Sequence, residues 1–222
     1  MSARTETKQG GAAVSKGTVV SVNVGTPREI TLGKKVRTTS IYKSPVRGRA
    51  RVEGVNVAGD DQADKKVHGG PDKAVYAYAL EDYLWWGAEL GRPLDPGTFG
   101  DNLTISGLDI TGALVGERWS AGSVLLEVVQ PRMPCLKLGA RMGDSRFPRR
   151  FSLANRPGAY LRILAAGDLG AGDEVSVVHR PAHHVSVGLI ARIYYSERSR
   201  AHELLAAPEL GEGWKEWVAG VG

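Results

Sequence analysis

Gly17-Thr18-Val19-Val20-Ser21-Val22-Asn23-Val24, closed by Gly25 and Pro27, is the stretch whose reading decides the fold class. Its β-branched residues and its near alternation of apolar and polar positions have the period-two signature of a half-buried strand. Working outward, residues 36–42, 50–57 and 74–78 repeat that pattern. Further strands are expected over 102–105, 118–119, 123–129, 159–164 and 174–178. Helix signals are fewer. Residues 81–90 form one candidate, with Leu84, Trp85 and Ala88 as its apolar face and Gly91 and Pro93 at its end. Residues 135–142 form a second, opened by Pro134 and stopped by Gly143. Many short strands joined by Gly/Pro turns predict a mainly β chain, a barrel or closed sheet with a few short helices.

The pattern changes after Pro181. Ser186 can cap a helix over 187–195, Ser199 a second over 200–207, and residues 213–218 suggest a third. Three divisions follow: a disordered tail over 1–16, a β domain over 17–180 and a small three-helix module over 185–222. His183-His184 between them reads as a solvated linker.

The length of 222 residues is ample for a buried core, and 42% hydrophobic residues exclude disorder throughout. No run approaches the ~20 apolar residues of a bilayer span. The polar opening lacks the apolar segment of a secretory signal, so a cytoplasmic location is expected. A pI near 9.4 raises the question of nucleic acid. No zinc finger or aromatic-interleaved basic helix supports that partner, and a small anionic ligand is preferred.

The basic residues are unevenly spread. From Arg132 to Arg162, eight cations face one acid, Asp144, a local +7 in a chain of net +5. Within that stretch, Gln130-Pro131-Arg132-Met133-Pro134-Cys135-Leu136-Lys137-Leu138 carries the sole cysteine. A lone cysteine is often a small buried hydrophobe. Its proline frame and cationic flanks instead suit a reactive group, since the thiolate is the nucleophile or metal ligand. A second cluster, residues 59–73, holds Asp60, Asp64, His68, Gly69-Gly70 and Lys73. His68 could move a proton near neutral pH with Asp60 or Asp64 orienting it, and the glycines let backbone approach an anion. A polar loop of Asx turns reads equally well there. A third cluster, Phe99-Gly100-Asp101-Asn102-Leu103, places Asn102 at a strand entrance, to hold its own turn or a ligand. Pairing of Cys135 with His68, His179 or His183 as a Cys–His hydrolase stays formally open.

Together, Gly59-Asp60-x-Gln62-Ala63-Asp64, His68-Gly69-Gly70-x-Asp72-Lys73-Ala74-Val75-Tyr76, the Phe99–Leu103 motif and Gln130-Pro131-Arg132-x-Pro134-Cys135-x-Lys137-Leu138 resemble the MOSC domain, named for the C-terminal domain of molybdenum cofactor sulfurases. The resemblance is nearest to the YiiM-like branch, with its C-terminal three-helix extension, and Asp101 stands where that family usually has Glu. It implies a β-barrel binding the molybdenum cofactor (molybdopterin), with Cys135 as molybdenum ligand or sulfur carrier. It further implies reduction of N-hydroxylated compounds, hydroxylaminopurine bases among them, to amines. Arg132 would hold the cofactor phosphate and Asn102 the pterin or substrate, with Asp64, His68 and Lys73 also at the cofactor. His68 or water ordered by Asp60 and Asp64 would deliver protons. Without a flavin, haem or iron–sulfur motif of its own, the chain would need a separate flavin- or haem-type donor protein; the subunit count stays open, a homodimer included. The alternative is a cofactor or persulfide carrier that turns over no substrate.

Overall fold

The computed structural model describes residues 15–63 and 70–221. The chain opens with β1 (Lys16–Val24), the hairpin β2 (Arg28–Leu32) and β3 (Lys35–Thr39), then β4 (Ser44–Pro45), β5 (Arg49–Glu53) and β6 (Asn56–Val57). A single 3-10 turn, Pro71–Lys73, leads into β7 (Val75–Ala79), α1 (Leu80–Leu90) and β8 (Leu103–Ser106). Next come β9 (Arg118–Ala121), β10 (Val124–Pro131), α2 (Leu136–Met142) and α3 (Phe147–Ala154). The strands β11 (Ala159–Ala165), β12 (Gly167–Gly170) and β13 (Glu174–His179) precede α4 (Val187–Ser196), a 3-10 run (Arg198–Ala206) and α5 (Glu212–Ala219).

Seven strands close into a barrel in the order β1, β13, β9, β10, β11, β7, β8 and back to β1. The mainly β expectation therefore holds. Neighbours are antiparallel except β7 and β8, whose parallel pairing is bridged by the crossover that contains α1. In β1 the alternation runs cleanly until a bulge between Val19 and Ser21 opposite β8, after which Val22 and Asn23 are both buried. That local break turns Asn23 into the polar interior beneath the site.

Strand β7 is buried on both faces, and its two faces serve two cores. Val75, Ala77 and Ala79 join Val19, Leu103, Trp119, Leu126 and Leu161 inside the barrel. Tyr76 and Tyr78 point the other way, into an aromatic layer with Tyr83, Trp86, Phe99, Phe147 and Phe151. A third cluster seats the C-terminal helices on Val115 and Val185 through Ile190, Ile193 and Leu204. No helix among the described residues is long and apolar enough to cross a membrane.

Several sequence expectations need correction. The 36–42 strand ends at Thr39 because it pairs as a hairpin with β2, a strand that weak patterning hid. Residues 50–57 split into β5 and β6 around a tight turn. The buried face of α1 is Asp82, Tyr83 and Trp86, whereas Leu84 is 67% exposed. Ser186 caps α4 as expected, accepting from the Leu189 N–H at 3.1 Å. The next segment is 3-10 rather than α-helical, and it starts after Glu197 without a Ser199 cap. His183 is no solvated linker: its side chain is 7% exposed, with Nε2 3.3 Å from Glu209 Oε2.

Candidate functional site

Strand β10 ends in Pro131, and the extended segment to Cys135 delivers Arg132 and Cys135 to one end of the barrel. Proline at 131 and 134 favours extended backbone before each ring and keeps this segment out of the helix. Cys135 sits immediately before α2 with extended dihedrals, and α2 ends on Gly143 in the left-handed region, as its sequence foretold. The cysteine is half-buried and free.

A cavity enclosing about 670 Å³ of empty space, part of it open to solvent, lies in front of this segment. It gathers Asp60, Lys73, Asn102, Arg132 and Cys135 from four separate stretches of sequence. Asp64 and His68 lie outside the described residues. Sequence reasoning passed over Lys43, Ser40 and Tyr160 and gave no site role to Tyr76 and Lys137, which lie within its motifs; all five also line it. Lys43 follows the apolar pair Ile41-Tyr42 just before Pro45, and nothing in that context separates an inward lysine from a solvated one. Neither His179 nor His183 lines the cavity, so the Cys–His pairings with those two residues are not formed.

Asp60 is tied down by protein. Its Oδ1 accepts from the Gly25 N–H at 2.8 Å and forms an ion pair with Lys43, and its Oδ2 accepts from Asn102 Nδ2 at 2.9 Å. The arrangement gives Asp60 the task of holding a cation and a neighbouring amide. Burial works to lower the pKa of the Lys43 ammonium, the Asp60 carboxylate opposes it, and the net direction is downward. Asn102 is likewise a clamp: its Oδ1 accepts from the Tyr76 N–H at 3.1 Å, and its Nδ2 also donates to the Asn23 carbonyl at 3.3 Å. Its side chain thus ties β7 to β1 from the cavity wall. Its hydrogen bonds reach other strands rather than its own turn, and its side chain also lines the cavity.

Arg132 differs from these. It is 5% exposed, and no carboxylate among the described residues pairs with it. Its guanidinium lies 5.6 Å from the Tyr76 ring centroid and 5.7 Å from that of Phe151. Burial opposes its charge, the phenols of Tyr76 and Tyr160 and the Cys135 sulfur favour it, and the net direction is upward. Its Nη1 has no hydrogen-bond partner, and neither has the buried Ser40 Oγ on the same cavity's wall. A buried cation with an unmet N–H is costly unless a ligand anion completes it. Among the described residues, four cations, Lys43, Lys73, Arg132 and Lys137, and two carboxylates, Asp60 and Asp61, line the cavity. The residues fit a cofactor that combines a phosphate with a soft metal centre: Arg132 for the anion, Cys135 for the metal.

The comparisons agree with this picture. The MOSC domain family model matches residues 64–176. YflK of Bacillus subtilis is 33% identical over 89% of this chain and 90% of its own length. A protein named "Reductase" from Gibberella moniliformis is 32% identical over 80% of this chain, which corresponds to 32% of that longer protein. The crystal structure of YiiM from Geobacillus stearothermophilus superposes with a TM-score of 0.76 at 31% identity, over 92% of this chain and 98% of that one. With the motifs, the closed barrel and the Arg132–Cys135 cavity in agreement, this chain belongs to the MOSC domain family and is YiiM-like within it.

Proposed function

We propose that the Arg132–Cys135 cavity binds the molybdenum cofactor and reduces N-hydroxylated compounds, hydroxylaminopurine bases among them, to amines. The observation that carries this reading is the buried Arg132, with no carboxylate partner among the described residues and an unpartnered Nη1, in one cavity with the only thiol of the chain. When bound, the cofactor supplies a molybdenum centre able to exchange two electrons. Overall, R–NH–OH takes up two electrons and two protons and leaves as R–NH₂ and water.

The chain's own residues divide the remaining work. Arg132 and Ser40 would meet phosphate oxygens, and Cys135 would hold the metal. Lys43, an ammonium in the same cavity whose proton burial weakens, is the described side chain best suited to hold a proton for the departing oxygen. Asp60 and Asn102 keep it in place. The aromatic layer of Tyr76 and Phe151 walls off water behind Arg132.

Electrons would come from a separate flavin- or haem-type protein. Beside Cys135, α2 and α3 present exposed Leu136 and Leu153 among Arg141, Arg146, Arg149 and Arg150, with Asp144 as the one acid there. That surface suits an acidic donor.

The test is molybdenum and pterin content, with reduction of a hydroxylaminopurine by a chemical reductant, in protein from a cofactor-making host. Near one molybdenum per chain is expected, with turnover lost in Cys135→Ser and both pterin and metal lost in Arg132→Met. Metal-free protein from a host verified to supply cofactor would overturn the reading. Bound cofactor without turnover would favour the carrier alternative.

A further inference from the structure

The segment that carries Cys135 has a second side. Cys135 lines the cavity, whereas Pro134, the residue before it, lines an open notch with about 820 Å³ of empty space. Helix α3 supplies Pro148, Arg149 and Leu153 to this notch, and the end of α4 supplies Tyr195. The notch therefore needs the C-terminal helices, which contribute no described residue to the cavity itself.

Its floor is apolar and uncovered. Leu153 is 62% exposed and Tyr195 37%, beside two prolines. Single apolar side chains on a surface are ordinary, but apolar residues from three segments that meet in one hollow with a polar rim mark a contact site. The hollow is also held in shape. Tyr195 stands edge-on to Tyr194 at 5.0 Å and 88°, and Tyr194 packs on Trp217 at 5.1 Å and on Trp214 at 5.6 Å. Trp214 Nε1 in turn donates to Gln130 Oε1 at 3.0 Å, which fastens these helices to β10.

The rim is positive because the nearby acids are already paired. Asp144 lies 3.9 Å from Arg146 and 3.7 Å from Arg150, and Glu197 pairs with Arg200. Arg149 on α3 and Arg192, three positions before Tyr195 on α4, are exposed and have no carboxylate partner among the described residues. A second copy of this chain would set these arginines against themselves across a two-fold contact, which disfavours it. A partner with surface carboxylates is drawn to them, and a contact this small suits a transient electron-transfer encounter.

We propose that this notch docks an acidic flavoprotein, with its carboxylates on Arg149 and Arg192 and the apolar edge of its flavin against Pro134, Leu153 and Tyr195. Reduction of one N-hydroxyl group consumes two electrons, and a fully reduced flavin yields both as it returns to the oxidised form, whereas a haem yields one. The peptide between Pro134 and Cys135 links the docked flavin to the thiol of the cavity. The electron delivery rests on the reductase reading; the docking does not.

The experiment titrates oxidised flavodoxin, an acidic flavin protein, into the full, cofactor-free chain at low ionic strength, following calorimetric heat and flavin absorbance. Saturable binding that weakens as salt rises is expected. Leu153→Gln and Tyr195→Ser should each weaken it about fivefold, and Arg149→Glu combined with Arg192→Glu about tenfold. Leu205→Gln, at a leucine 54% exposed outside the notch, should leave it unchanged. No binding, or binding indifferent to the notch variants, would overturn the assignment, even if the loaded enzyme reduces hydroxylamines with a chemical reductant. Binding that follows the notch variants in a cofactor-loaded protein that reduces nothing would sustain the dock and sink the reductase reading instead.

Discussion

Arg132, Asn102 and Asp101 are all buried polar residues at one end of the barrel, and their partners give them three different jobs. Arg132 keeps an unmet N–H, the group that the proposed cofactor anion would meet. Asn102 bonds Tyr76, Asn23 and Asp60 through its amide, so its loss strands buried groups on three segments. Asn102→Ala should cost about 2–3 kcal/mol in urea unfolding, the usual penalty for orphaned buried partners. Asp101 lies deeper, accepting from Tyr83 Oη, Thr104 Oγ1 and Asn23 Nδ2. Burial, the largest influence, drives its pKa upward from the usual 3.8 despite those donors. The folded state therefore holds the Asp101 proton more tightly than the unfolded chain does. Stability from this group is present below about pH 3.8 and is lost as pH rises through the higher folded value. Comparing Asp101→Asn with wild type, the stability advantage of wild type should shrink as pH rises from there. A constant difference would refute this account.

At the scale of elements, two glycines separate conformational strain from steric exclusion. Gly143 ends α2 at φ 70°, and a methyl carbon added there would meet nothing within 4 Å, so Gly143→Ala should cost only about 1 kcal/mol. Gly158 enters β11 at φ 63°, where a Cβ would stand 2.5 Å from the Ala77 carbonyl oxygen and 2.7 Å from the Tyr78 ring. Gly158→Ala should lose about 3 kcal/mol or more, because relief requires moving β7. Thermal melts of the two variants check the contrast. The same element logic explains what sequence reading missed. Helix α3 hides in a basic stretch, yet Phe147 and Phe151, one turn apart, are both buried in the aromatic layer, and Pro148 sits in its first turn. In α1, aromatic residues ring much of the helix, so periodicity alone could not choose the face; the outward tyrosines of β7 chose Tyr83 and Trp86.

Across the whole molecule, the excess positive charge is concentrated beside the proposed redox site. Exposed pairs contribute little stability, but a one-signed surface steers and orients an oppositely charged protein. Arg149→Glu combined with Arg150→Glu should raise KM for an acidic donor protein about tenfold and flatten its ionic-strength dependence. Turnover with a small chemical reductant should stay unchanged. Equal losses with both donors would place these arginines in folding or catalysis instead.

What the sequence determined by itself was local or chemical. Period-two patterning marked β1 and most barrel strands, Ser186 and Gly143 marked helix ends, and the spaced motifs marked Asp60, Asn102, Arg132 and Cys135 as one set. These signals act over a few residues, where side-chain alternation and capping chemistry operate. The tertiary structure decided partnership. Lys43 meets Asp60, Asp60 meets Asn102 from 42 positions away, and Trp214 reaches Gln130 across 84. Alternation says which way a side chain faces but not what lies opposite it. Only closure of the barrel turns Lys43 inward, spends Asn102 on backbone and leaves Arg132 unmet.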